Sequence, residues 1–277
     1  MKLSFLWLPF LLICGCKAST ARSVQKSELY DLENPDSTWV MPSVLNEISG
    51  ISAISDRLMG CINDEKGEIY FYHLDRNKID TSISFTGKGD YEDIVIIDSM
   101  AYVLESKGVI WQVNMAKRPA ETTRYKTSMH RSLDAEGLAY DAQSNGLLIA
   151  AKNKIKDKTG LKVNVIYKFD LTTQKGSNEP FITWHLNDLI SKDDFASSAL
   201  AIHPSSGNIY ITSSVGKKLV VINRLGQVLE MVTLDYKHFS QPEGIYFDTN
   251  SNLFISNEKK KSKANILKFN INNSKLE

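Results

Sequence analysis

Long apolar runs are scarce in this 277-residue chain, and the one of note, Leu3 to Ile13, is too short to cross a bilayer as a stable helix. Cysteine is scarce too: three residues exclude a scaffold stapled by several disulfides. Charge of one sign is absent. The 33 Lys and Arg stand against 32 Asp and Glu, so no global field draws the chain to nucleic acid. The basic cluster "EKKKSKAN" reads as a solvated loop. The five histidines (His73, His130, His185, His203, His238) are scattered, and no Cys/His spacing suits a soft metal. There is no G-x-S-x-G elbow, no H-E-x-x-H helix and no phosphate loop; "GKGDYED" has the glycines without the spacing. Helical periodicity is scarce, which points away from helical folds.

The N-terminus does carry a signal. A positive Lys2, the apolar run and the small-residue ending "ICGC" resemble a bacterial lipoprotein signal and its lipobox. The resemblance implies a signal peptide over residues 1–15, cleavage after Gly15 and a lipidated Cys16 that holds the protein to a membrane of the cell envelope. Lys17, in place of an aspartate, favours the outer membrane. Residues 16–29 are small, polar and charged and read as a tether. Cys14 leaves with the signal and Cys16 takes lipid. Cys61 is left alone in an apolar strand pattern, which reads as an inert buried thiol.

From residue 30 to 277 short β-rich runs alternate with Gly, Asn, Asp and Ser. Five stretches align: "EISGISAI", "DYEDIVII", "DAEGLAYD", "SSALAIHP" and "QPEGIYFD". Their common position is Ser49, Glu92, Glu136, Ser198 and Glu243, at intervals of 43, 44, 62 and 45 residues. A period of about 40–45 residues with four strands per unit predicts a β-propeller. The expected fold is all-β, with five blades of four antiparallel strands. The long third interval holds "NKIKDKTGLKVN", a polar extension of one hairpin and too short for a sixth blade. The last repeat lacks its outermost strand, and "DSTWVMP" near the N-terminus is a spare strand of that type. Closure of the ring by that strand hides the sheet edges.

In a propeller the innermost strands line a channel, and their first residues ring one rim. The turns between second and third strands return to the same face. This predicts an inner ring of Glu92, Glu136 and Glu243 with Ser49 and Ser198, Glu47 beside it, and an outer set that includes Asp64, Glu65, Glu105, Lys152, Asn153, Ser214, Asn257 and Glu258. Entry loops add Asp90, His130, Asp134, Asp193, Asp194 and His238. Carboxylates gathered at a narrow opening need neutralisation, because an unpaired desolvated charge costs several kcal/mol. Lysines of the turns (Lys66, Lys107, Lys152, Lys259), backbone N–H groups of neighbouring blades, or a hard cation are the three solutions. A rim of Glu, Ser and carbonyl oxygens suits calcium, which takes six to eight oxygens. Repeated acidic residues at this position equally suit a plain scaffold role that locks blade to blade.

"NEISGISAI", "NDEKGEIY", "DYEDI", "DAEGLAYD", "SALAIHPSSGNIYITSS", "QPEGIYFD" and "LFISNE", in this order, resemble the SdiA-regulated, YjiK-like family over nearly all of the chain after the tether. The resemblance implies a five-bladed propeller distantly similar to NHL-repeat propellers, membrane association in some members and a calcium site near the channel. Carried to this chain, that site falls on Glu92, Glu136 and Glu243, while Ser49 and Ser198 break the acidic pattern. Two functions follow as expectations. The preferred one is a membrane-anchored module that binds a ligand or protein partner at the channel face. The other is a calcium-dependent hydrolase of lactonase or esterase type, for which His130, His238 or Asp90 would be the base.

Overall fold

Alternating β-branched and aromatic residues, broken by Asn, Asp and Gly at turns, favour short antiparallel meanders over helices. The computed structural model describes residues 26–186, 195–272 and 274. They form five antiparallel sheets arranged in a ring. From the channel outward, the first blade is Ile48–Ser55, Leu58–Asn63, Lys66–His73 and Lys78–Lys88. The second is Tyr91–Ile97, Met100–Glu105, Val109–Asn114 and Glu121–Lys126. The third is Ala135–Asp141, Gly146–Ala151, Lys162–Asp170 and Ile182–Trp184. The fourth is Ala199–Ile202, Ile209–Ser213, Lys218–Ile222 and Val228–Thr233. In the fifth, Pro242–Phe247, Leu253–Asn257 and Asn265–Phe269 are followed by Ser37–Val40, which pairs antiparallel with Asn265–Phe269.

Each innermost strand packs against the next around the ring, and the last packs against the first. The second strands are buried almost throughout, as in Gly146–Ala151, because blades cover both faces. Outermost strands are wetter; Glu121–Lys126 has no fully buried residue. The core therefore lies between blades, in clusters such as Leu148, Ile166, Trp184 and Ile211 between the third and fourth. Each fully buried Leu or Ile there contributes about 2 kcal/mol by area.

The residue after each aligned position explains the close approach of the inner strands. A Cβ on Gly50 would lie 2.7 Å from the Asp93 Cα, and one on Gly137 would lie 2.6 Å from the Leu200 nitrogen. The second blade has Asp93 at this place. Its buried carboxylate accepts the N–H of Ile94 at 2.8 Å and, across the seam, that of Leu138 at 2.7 Å.

The insertion after the third blade's second strand is a hairpin extension, with Ile155–Lys156 paired to Lys162 and Val163. Its tip is closed by Asp157, which accepts the N–H groups of Thr159 and Leu161. Packing at the N-terminus starts within the segment read as tether: Ser27 is buried and Leu29 lies against the core. Tyr30 fills the seam between blades four and five, beside His203, Tyr210 and Phe247, and donates to the Ser251 carbonyl at 2.7 Å. Ser251 and His203 belong to turns between innermost and second strands, at the end of the ring opposite the aligned positions. Cys61 is fully buried, and burial pushes its thiol pKa up, as an inert thiol requires.

Candidate functional site

Four of the five innermost strands break register at the aligned position, between Ile48 and Ile51, Tyr91 and Asp93, Ala135 and Gly137, and Pro242 and Gly244. A bulge leaves its residue out of the ladder and re-aims the side chain. The displaced residues are Ser49, Glu92, Glu136 and Glu243. In the fourth blade, Ser198 stands one residue before the strand.

The two serines are satisfied by neighbouring blades. Ser49 Oγ donates to the Tyr91 carbonyl at 2.7 Å, and Ser198 Oγ donates to the Pro242 carbonyl at the same distance. The glutamates differ. Among the described residues no hydrogen bond or ion pair reaches Glu92. Its pKa is pushed up to about 10 by burial first, then by the nearby charges of Glu136 and Asp90. Glu136 is buried and pairs with the Lys152 ammonium at 2.5 Å. Burial outweighs that lysine and holds Glu136 at about 8. Lys152 itself loses to burial but gains more from Glu136 and Asp134, the latter 3.6 Å away, so it stays charged. Glu243 accepts from Gln241 Nε2 at 2.7 Å, yet burial still lifts it to about 7. These groups form one electrostatic field, since each raises a neighbour's pKa.

Beside this ring lies a tighter cluster. Glu47 precedes the first blade, Asp64 sits in that blade's turn between second and third strands, and Glu258 sits in the matching turn of the fifth blade. Oxygens of all three lie within 4.8 Å of one another. Backbone bonds fix the arrangement: Asp64 N–H donates to the Glu47 carbonyl, Glu258 N–H to that of Gln241, and Lys259 N–H to that of Asn46. Burial, then Glu47 and Glu258, raise Asp64 to about 6, and its Oδ1 is buried with no hydrogen-bond partner among the described residues. Burial raises Glu258 as well, against the Lys260 ammonium 3.1 Å away. Three hard carboxylates around an orphaned oxygen match the donor chemistry of calcium.

Other anticipated residues lie elsewhere or are engaged. Glu105 is buried under Trp111, whose Nε1 donates to it at 3.1 Å, with Lys107 at 3.5 Å. Glu65 is exposed. Asp90 accepts from Ser106 Oγ, and His130 caps its own short turn through Ser132. Of the four turn lysines, Lys152 reaches an inner glutamate; Lys260, outside that set, serves Glu258. Asp193, Asp194 and Cys16 lie outside the described residues. The cluster of Glu47, Asp64 and Glu258 was not singled out from sequence, because its members are as far apart as residues 47 and 258. The faint signal was the equivalence of the "NDEKG" and "SNEKK" turns.

No curated protein matches this sequence. Among solved structures, glutaminyl cyclase of Myxococcus xanthus superposes with a TM-score of 0.63 at 9% identity, over 86% of this chain and 95% of that one. A luciferin-regenerating enzyme gives 0.52 at 11% identity, with the same coverages. A protein of unknown function from Bacteroides thetaiotaomicron gives 0.50 at 15% identity over 76% of this chain; this chain spans about half of its length, 52%. At such identities the likeness is one of fold. In sequence, the SdiA-regulated family model matches residues 35–260, and the chain belongs to the SdiA-regulated family.

Proposed function

We propose that this protein is an envelope lipoprotein, held by a lipidated Cys16, whose propeller binds a ligand or protein partner at its acidic rim with calcium as part of that site. The observation that carries the reading is the excess of buried carboxylate over cation at one end of the channel. Glu47, Asp64 and Glu258 would hold the ion, and Asp64 would present its orphaned oxygen to it. Glu92, Glu136 and Glu243 add buried acids beside it, whose protons a cation at the rim would help to displace. A bound calcium gives a fixed positive centre on which a carboxylate or carbonyl of a ligand can rest. Tyr30 packs at the end of the ring opposite the rim, which supports a rim turned away from the anchoring membrane. The outer membrane is the preferred membrane.

Calorimetric titration of the mature, unlipidated chain with calcium tests this reading. Binding that disappears in the Asp64→Asn, Glu258→Gln double variant is the expected result. No heat at millimolar calcium would remove the ion from the account.

A second reading rests on Glu92. An acid whose pKa is pushed up to about 10 stays protonated at neutral pH and is able to give its proton to a leaving group. This supports a calcium-dependent lactonase or esterase. A panel of lactones and esters assayed with Glu92→Gln decides it: turnover that survives the substitution rejects Glu92 as the acid.

A further inference from the structure

The end of the ring opposite the acidic rim carries a second concave feature, a cleft of about 460 Å³ between blades five and one. That size suits a small molecule. One wall follows from strand register. Tyr246 pairs with Phe254, Phe254 with Lys268, and Lys268 with Ser37, so these side chains form one row across the fifth blade. Trp39, two residues on from Ser37, stacks on Phe254 with 6.2 Å between ring centroids and 18° between planes. Tyr246 tilts against the same ring at 6.1 Å. The lip is acidic: Asp56, Asp75 and Asp248 line the cleft, against one lysine, Lys268.

The cleft already holds one cation by its aromatic wall. Lys268 Nζ lies over the Phe254 ring at 5.7 Å. Aromatic faces attract cations through their quadrupole, and desolvation strengthens the effect. Asp248 is fixed by its own turn, accepting the N–H groups of Asn250 and Asn252, so its charge is held at the lip. Asp75 faces Arg57 at 3.4 Å, while Asp56 is exposed. The Tyr246 hydroxyl feels this field: burial, Asp248 and Asp56 push its pKa up to about 12. A neutral apolar guest would waste the acidic lip, and an anion would be repelled by it.

We infer that this cleft is a binding site for an organic cation, an ammonium group carried on an apolar or aromatic body. The body lies against Trp39 and Tyr246, and the ammonium is directed to Asp56 and Asp248. The site is separate from the rim and independent of calcium.

Phenylethylammonium is the probe, with 2-phenylethanol as its neutral counterpart of the same shape. Binding is read from the Trp39 indole N–H resonance, assigned with Trp39→Phe. That N–H donates to the Leu74 carbonyl at 3.0 Å on the wall of the cleft, so it reports occupation directly. The ammonium is expected to shift it, with the alcohol roughly five- to tenfold weaker. Asp56→Asn, a surface change that leaves the core intact, is expected to weaken the ammonium about threefold and leave the alcohol unaffected. Equal binding of alcohol and ammonium, or no shift of Trp39 with the ammonium, overturns the proposal.

Discussion

Two seams of this propeller are closed by serine and three present glutamate at the same repeat position. Between blades one and two, and four and five, Ser49 and Ser198 donate to the next blade's carbonyl, in each case that of the residue just before a glutamate. Elsewhere Glu92, Glu136 and Glu243 occupy the position, and among the described residues only Glu136 has a lysine partner. The same repeat position thus serves two ends. A short hydroxyl turns it into a staple, whereas a longer carboxyl makes it a buried acid that needs a proton or a cation. The scaffold role suits the serines; it does not explain the glutamates, whose burial costs stability unless a proton or cation neutralises them.

Exchanging the two residue types breaks the comparison hardest. Ser198→Glu puts a carboxylate where the surroundings offer one backbone carbonyl and the Thr212 hydroxyl, and is expected to lower unfolding free energy by about 3 kcal/mol in urea titration. Glu243→Ser is expected to be near neutral, which would confirm that charge at that position is not structural. Next in size is Lys152→Met. It strips Glu136 of its counter-charge and should cost roughly 2 kcal/mol in alkali, above the folded value of about 8, with little cost at neutral pH or below, where Glu136 is protonated. A pH scan sharpens the comparison further. The folded pKa values of Glu92, Glu136 and Glu243 lie at about 10, 8 and 7, above the ordinary 4.5. The folded state therefore holds more protons than the unfolded one across that window. Stability from these groups is full below the ordinary carboxylate range and is lost as pH rises through the folded values. Tm should fall from mild acid to alkali, and Glu92→Gln should flatten the fall, gaining roughly 1 kcal/mol at its alkaline end. Ser49→Ala removes one staple and should cost about 1 kcal/mol at every pH.

Much of the fold was legible because the repeat is a local pattern. Each blade is a meander of neighbouring strands, and "EG", "SG" or "ED" marks where its innermost strand bulges, with "SA" at the same place in the unbulged fourth blade. The hairpin extension at Asp157 was legible for the same reason. The site was legible in part. The ring of Glu92, Glu136 and Glu243 follows from alignment, but which carboxylates come within one ion's reach depends on how blade five docks on blade one. Glu47, Asp64 and Glu258 are joined by that long-range contact, with no trace in local spacing. Tyr30 was hidden likewise: a single aromatic at the end of a polar stretch gives no period, and its place between blades four and five is set by packing with Phe247 and Tyr210. Protons as neutralisers were also missed, since burial, which raises these pKa values, is not written in the sequence.

We propose that the rim carboxylates hold protons until a cation replaces them. Calcium calorimetry of the mature chain in buffers of different ionisation enthalpy counts the protons released on binding. At a pH near 6, where Asp64 is about half protonated, the account predicts calcium binding with a net release of protons that shrinks as pH rises. Calcium binding with no proton release at that pH would contradict it.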